Sequence, residues 1–246
     1  MLKKIKNNKD KTKVLAIFLA RGGSRRIKNK NIVSFFGKPI IYYGLNAAKK
    51  SKIFSEIFIS TDSQKIKKIV EKKGFKVKKL RSKKLARDNV NSLVVIKKIL
   101  DDYEKENINF DCVFNIFPAS PLLKPKDLEE AFKIFKKNKM KKPLYVFSKY
   151  LTPIEWAFRK RKNIFIPKKP KLIMKNSLTF KESFYESGPF TIFPTKYFKK
   201  KNYLKNSSKG FLGYELPNFR SIDIDTKEDL FFAKVLYLGL NKKTSI

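Results

Sequence analysis

Among its 246 residues the chain has no histidine. This excludes nucleophile activation by a Ser-His-Asp or Cys-His arrangement, both of which need an imidazole base. Cysteine is nearly absent too. The one thiol, Cys112, excludes an intrachain disulfide and fits a reducing compartment such as the cytoplasm. Its setting in the apolar run CVFNIF reads as a buried structural thiol. Long apolar runs are missing: the longest reach about six to eight residues, against roughly 20 needed to cross a bilayer. The basic start MLKKIKNNKDKTK leads into an apolar run and a glycine-rich loop, without a small-residue cleavage site. Residues 1–13 therefore read as a disordered basic lead-in, not a signal peptide. Acid is scarce, with 21 Asp and Glu against 59 Lys and Arg, for a net charge of +38.

What is present describes a folded α/β chain. A hydrophobic fraction of 42%, with 14% aromatics, is globular usage and argues against disorder. The length suits one domain over residues 14–246. The charge has two readings: phosphate neutralisation on a nucleic acid, or a lysine bias over the whole surface. Lysine is scattered from end to end, and arginine, the residue of forked base contacts, occurs only eight times. The bias reading is preferred, and a basic surface would still draw in an anionic nucleotide or acidic sugar.

Apolar runs alternate with helical patterns along the first half. Val14–Leu19, EIFIS at 56–60, Val77–Leu80 and Val113–Phe117 read as strands. Between them lie helical stretches beginning near Pro39, Thr61–Asp62, Asn91–Ser92 and Pro125. This alternation predicts a mostly parallel, doubly wound sheet. From about 143 to 218 the regularity gives way to short strands and basic, proline-containing loops, as in an insertion. FRSIDID then reads as a strand, and Thr226 with Asp229 as a capping box before a last helix.

The strongest site candidate is the loop Ala20–Asn31, directly after the first strand, where α/β ligands bind. Gly22 and Gly23 permit close backbone approach to phosphate. Arg21, Arg25, Arg26, Lys28 and Lys30 supply charge, and Ser24 and Asn31 supply hydrogen bonds. Neither the dinucleotide fingerprint nor the Walker loop is present, and a charged surface turn is the competing reading. A second candidate is Asp223-Ile224-Asp225. Carboxylates at i and i+2 share one face of an extended segment and near a triphosphate could hold Mg²⁺; a plain strand end is equally open. Ser60, Thr61, Asp62, Arg81, Asp88, Ser120 and Pro121 lie after strands and could line the same cleft, or simply cap and turn.

ARGGSRRIKNKNI, GKPIIYYGLNAA, FISTD and SIDIDTKEDL, in this order, resemble the acylneuraminate cytidylyltransferase family, over about residues 14–238. The resemblance implies a Rossmann-like nucleotidyltransferase fold and a divalent cation, Mg²⁺ or Mn²⁺. It implies attack by the anomeric hydroxyl of a nonulosonic acid on the α-phosphate of CTP, giving CMP-sugar and pyrophosphate. By that resemblance Arg21, Ser24, Arg25, Lys30 and Asn31 hold the phosphates, with Gly22 and Gly23 in the same loop. Arg81 and Asp88 lie in the nucleotide pocket. Asp223 and Asp225 bind the metal and, with it, take the proton from the attacking hydroxyl. A homodimer formed through an inserted segment at about 145–185 is likewise implied. The chain departs from the family pattern at Arg25 (usually Lys), Lys28 (usually Pro), Asn176 (usually Arg), and Phe184 and Tyr185 (usually Tyr-His). Glu155 and Trp156 replace polar and basic groups. These changes point to a different sugar, to substitution by Lys175, or to lost activity. A 3-deoxy-octulosonate transferase and a basic nucleic-acid-binding domain are the alternative readings.

Overall fold

The computed structural model describes residues 12–200, 202–203 and 210–242; the lead-in expected at 1–13 lies almost wholly outside them. A six-stranded sheet forms the centre. Its strands are β1 (Val14–Leu19), β4 (Glu56–Ser60), β5 (Cys112–Ile116), β6 (Leu144–Lys149), β9 (Phe184–Pro194) and β10 (Leu212–Glu215), in the order β10-β6-β9-β5-β1-β4. β1 pairs in parallel with β4 and β5, and β6 with β10. β9 enters between β6 and β5 antiparallel to both. Two short ribbons lie apart from it: β2 (Ser34–Phe35) with β3 (Lys38–Pro39), and β7 (Phe158–Arg161) with β8 (Ile164–Pro167). The fold is α/β with a mostly parallel sheet, as the alternation predicts.

Burial explains the strand sequences. Alternate residues of β1 feed different cores: Val14, Ala16 and Phe18 one face, Leu15 and Ile17 the other. A strand covered on both faces must be apolar throughout, which is why VLAIFL shows no alternation. α1 (Ile41–Ser51), α2 (Gln64–Glu71) and α4 (Pro125–Lys137) cover the first face. α3 (Ser92–Lys105) covers the second with Val95, Ile96, Ile99 and Tyr103. A third, smaller core joins Ile27, Phe35, Ile40, Ala119 and Ile224 to Ala233 of α5 (Lys227–Asn241). It fastens the loop after β1 to the C-terminal segment.

Helix starts follow local chemistry. The Asn91 side chain accepts from Leu93 N at 2.9 Å, Pro125 opens α4, and Thr226 and Asp229 form a reciprocal capping box. Four expectations need correction. Ser63, not Thr61 or Asp62, caps α2, because its hydroxyl is the one that accepts from Ile66 N. α1 begins at Ile41, because Pro39 is taken up in the β2–β3 ribbon. Val77–Leu80 forms no strand: Val77 is buried as core cover, and Arg81 N bonds Thr61 O at 2.7 Å just beyond β4. FRSIDID forms no strand either. A helical turn occupies Asn218–Arg220, and residues 221–225 join no ladder. Cys112 is fully buried, and burial, then Asp111, push its thiol up to about 12. Among the described residues no helix is long and apolar enough to cross a membrane.

Candidate active site

The chain passes from β1 to β4 on one side and later to β5 on the other, so the strand order reverses at β1. Such a switch point leaves a crevice beyond the carboxyl ends of the strands. A cleft of about 560 Å³ occupies it, lined by Leu19 of β1 and by Asn115, Phe117, Pro118 and Ala119 of β5 and its loop.

The loop after β1 is shaped by its own hydrogen bonds. Gly22 N donates to Asp62 Oδ1 at 2.9 Å, and Asn31, 5% exposed, donates its side-chain amide to Arg21 O at 2.9 Å. A Cβ on Gly22 would stand 2.9 Å from Ser63 Cβ, so the loop can pack on the start of α2 only with glycine there. Gly23 would meet nothing within 4 Å, and neither glycine lines the cleft. Thr61 is fully buried and accepts from Ser63 N at 3.1 Å, so the FISTD residues serve as the loop's mount.

Two charge clusters line the cleft. On one side Asp88 bridges Arg21 and Arg25, the latter at 2.5 Å. Arg81 lines the same wall, and its buried Nε has no hydrogen-bond partner. Burial lowers its pKa; Asp62 works against that and Arg21 with it. On the other side Lys30 Nζ donates to Ile224 O at 2.8 Å and to Asp225 Oδ1 at 2.9 Å, and Arg26 meets Asp225 Oδ2 at 2.7 Å. These bonds join loop residues to residues almost 200 positions away. Burial alone would raise Asp225, but Lys30 and then Arg26 hold it below the ordinary carboxylate value. Asp223 behaves oppositely: burial and then Asp225 push it up, with only partial relief from Lys30. It makes no hydrogen bond or ion pair among the described residues.

This arrangement bears on a metal. Asp223 and Asp225 both line the cleft. Asp225 is already held by two cations, whereas the Asp223 carboxylate has no direct ion pair among the described residues. No group of three or more acidic, His or Cys residues suited to a metal occurs among the described residues. One or two carboxylates with remaining positions left to phosphate and water are what a hard, octahedral ion such as Mg²⁺ accepts. The residues fit such an ion, with Asp223 as the open ligand.

Of the residues singled out in the sequence, Arg21, Ser24, Arg25, Arg26, Lys30, Asn31, Arg81, Asp88, Asp223 and Asp225 converge on this cleft. Lys28, Ser60, Thr61, Asp62, Ser120 and Pro121 do not line it. Asn176 lies elsewhere, capping a turn by accepting from Leu178 N at 2.9 Å. Glu155 pairs with Lys169 at 3.4 Å, and Trp156 packs edge-on against Phe180. Leu85, Arg87, Val90, Val95, Asn115 and Phe117 line the cleft and were not anticipated. Asn115, a polar residue inside an apolar strand, was the available signal. The apolar wall carried none, since its residues look like core.

Residues 15–236 match the family described as Cytidylyltransferase. The chain is 33% identical over 230 residues to pseudaminic acid cytidylyltransferase of Campylobacter jejuni, covering 92% of this chain and 96% of that protein. It is 35% identical over 124 residues to CMP-N,N'-diacetyllegionaminic acid synthase of Legionella pneumophila, covering 50% of this chain and 53% of that one. Among solved structures, a CMP:2-keto-3-deoxy-manno-octonic acid synthetase complexed with CTP superposes with a TM-score of 0.67. The match is 15% identical and covers 93% of this chain and all of that one, a likeness of fold.

Proposed function

The chain belongs to the cytidylyltransferase family, and from that membership we propose that it transfers CMP from CTP to the anomeric hydroxyl of a pseudaminic-type nonulosonic acid, releasing pyrophosphate. One observation carries the reading. A single cleft sets four basic side chains, Arg21, Arg25, Lys30 and Arg81, against an open carboxylate, Asp223. The near full-length similarity to a pseudaminic acid cytidylyltransferase supports the choice of acceptor.

Transfer of this kind asks the protein to position two reactants and to spread negative charge. Arg21 and Arg25, which share the single carboxylate of Asp88, and Arg81 hold the triphosphate. Ser24 and Asn31 orient it, with Gly22 and Gly23 setting the loop's path. Leu85, Val90 and Phe117 offer the base an apolar wall. Lys30 ties the loop to Asp225 and so fixes the phosphate site relative to the acidic segment. Asp223 and Asp225 hold Mg²⁺, with Mn²⁺ as a substitute. When bound, the ion neutralises charge developing on phosphate oxygens. The proton of the attacking hydroxyl passes to the Asp223/Asp225 centre. We place the enzyme in the cytoplasm as a homodimer joined through the segment 145–185. There Phe158, Ile164, Phe165 and Ile166 of the β7–β8 ribbon are exposed apolar side chains.

Asp223→Asn tests the reading, because the Asp223 side chain has no hydrogen-bond or ion-pair partner to lose among the described residues. The variant is expected to keep its melting temperature and CTP binding while pyrophosphate release falls about 100-fold or more. It should also lose nucleotide-dependent Mn²⁺ binding by electron paramagnetic resonance. Full activity would overturn the assignment.

A further inference from the structure

A second cavity, of about 500 Å³, adjoins the nucleotide cleft, and Asp223 lines both. Its chemistry is unlike the rest of the surface. In a chain with 59 basic residues it has no Lys or Arg in its wall, and it has two carboxylates, Glu186 and Asp223. Such a cavity repels anions, so a carboxylate or phosphate of any ligand must point out of it, toward the cationic side of the first cleft.

Two of its polar side chains are uncommitted. The Glu186 side chain makes no hydrogen bond or ion pair among the described residues. Ser187 is 3% exposed, and its hydroxyl has no partner among the described residues. Buried hydroxyls without a partner are uncommon in folded proteins, and turning this one toward a ligand breaks no existing bond. Tyr185 donates its hydroxyl to Asn218 Oδ1 at 3.0 Å, which occupies the amide oxygen and leaves the amide hydrogens available. The opposite wall is apolar. Phe232, Val235 and Leu236 of α5 form it, and Phe232 and Val235 are each 50% exposed.

We propose that this cavity seats an uncharged acylamino arm of the acceptor sugar. Its N–H is donated to the Glu186 carboxylate, its carbonyl accepts from Ser187 or Asn218, and its alkyl end rests on Phe232 and Val235. This rests on the acceptor being a nonulosonic acid and adds which part of it the protein reads. A polyhydroxylated acid without an acylamino group would leave the apolar wall uncovered, so the cavity selects against it. The acceptor's own carboxylate is directed to the Lys30 side of Asp223, where Lys30 and Arg26 meet Asp225.

Two variants test this by steady-state kinetics with an N-acylated nonulosonic acid, alongside thermal melting. Ser187→Ala removes one unbonded hydroxyl. It should raise the acceptor KM about three- to ten-fold, the loss of one neutral hydrogen bond, with CTP KM unchanged and no fall in melting temperature. Val235→Trp fills the cavity from a half-exposed helical position and should raise the acceptor KM at least about ten-fold, again sparing CTP. An unmoved acceptor KM in the Val235→Trp enzyme overturns the proposal. Should that enzyme not fold, Ser187→Ala decides alone, and a lower melting temperature with unmoved KM shows a purely structural serine. If the wild-type enzyme releases pyrophosphate with no nonulosonic acid, the proposed function itself fails, which is distinct from active enzyme with indifferent variants.

Discussion

Replacing Lys30 with Met keeps the length of the side chain and removes its charge. Lys30 is one-quarter exposed and Asp225 about one-third exposed, so water screens the pair only in part. A hydrogen bond to a charged group contributes about 1.5–3 kcal/mol, and screening lowers that to about 1–2 kcal/mol here. Arg26 still holds Asp225 in the variant, which keeps the loss at the low end. A chain of this size should then melt about 2–4 °C lower. The loss should depend on pH in a defined direction. Asp225 is held below its ordinary carboxylate value, so its contribution is complete above the unfolded value of about 3.9 and is lost as pH falls through the lower native one. Wild type and variant should therefore differ near pH 7 and converge below about pH 4. Activity should fall further than stability, by about 100-fold or more in kcat/KM, because Lys30 also lines the cleft proposed to take the triphosphate. Calorimetry across pH, with a coupled pyrophosphate assay at 25 °C, measures both. Melting temperatures within about 1 °C at pH 7, together with activity within about threefold, would refute the reasoning.

Other expectations are more local. Gly22→Ala forces a methyl against Ser63 and should cost about 1–3 kcal/mol, whereas Gly23→Ala meets nothing and should stay within about 0.5 kcal/mol by urea denaturation. Arg220 forms a buried ion pair with Asp127 that ties the turn before Ser221 to α4. Arg220→Met should cost about 3 kcal/mol, at the low end for a broken buried pair, because Lys124 N at 2.8 Å and the Tyr214 hydroxyl at 3.1 Å still serve Asp127; calorimetry checks it. Cys112, buried and pushed up to about 12, should resist iodoacetamide at pH 8 until the protein is unfolded, as read by mass spectrometry.

Particular residues show what the sequence could and could not reveal. VLAIFL, CVFNI and the caps at Asn91, Pro125 and Thr226 were legible because burial on both sheet faces and capping each leave a local signature. Val77–Leu80 misled because an extended segment covering a core shows strand-like apolar residues without joining a ladder. The acidic pair was legible for a reason that survives the missing strand. Ile224 is buried while Asp223 and Asp225 on either side of it both line the cleft. What stayed hidden was tertiary: the Lys30 to Asp225 link, the demand on Gly22 from Ser63, and the uncommitted hydroxyl of Ser187. Each depends on a partner distant in sequence or on the lack of one.

The most direct test is pyrophosphate release from CTP and Mg²⁺ with a panel of pseudaminic, legionaminic, N-acetylneuraminic and 3-deoxy-octulosonic acids. Release with an N-acylated nonulosonic acid, and little or none with the octulosonic acid, is the predicted result. Release with the octulosonic acid alone, or no CTP binding at all, would contradict the account.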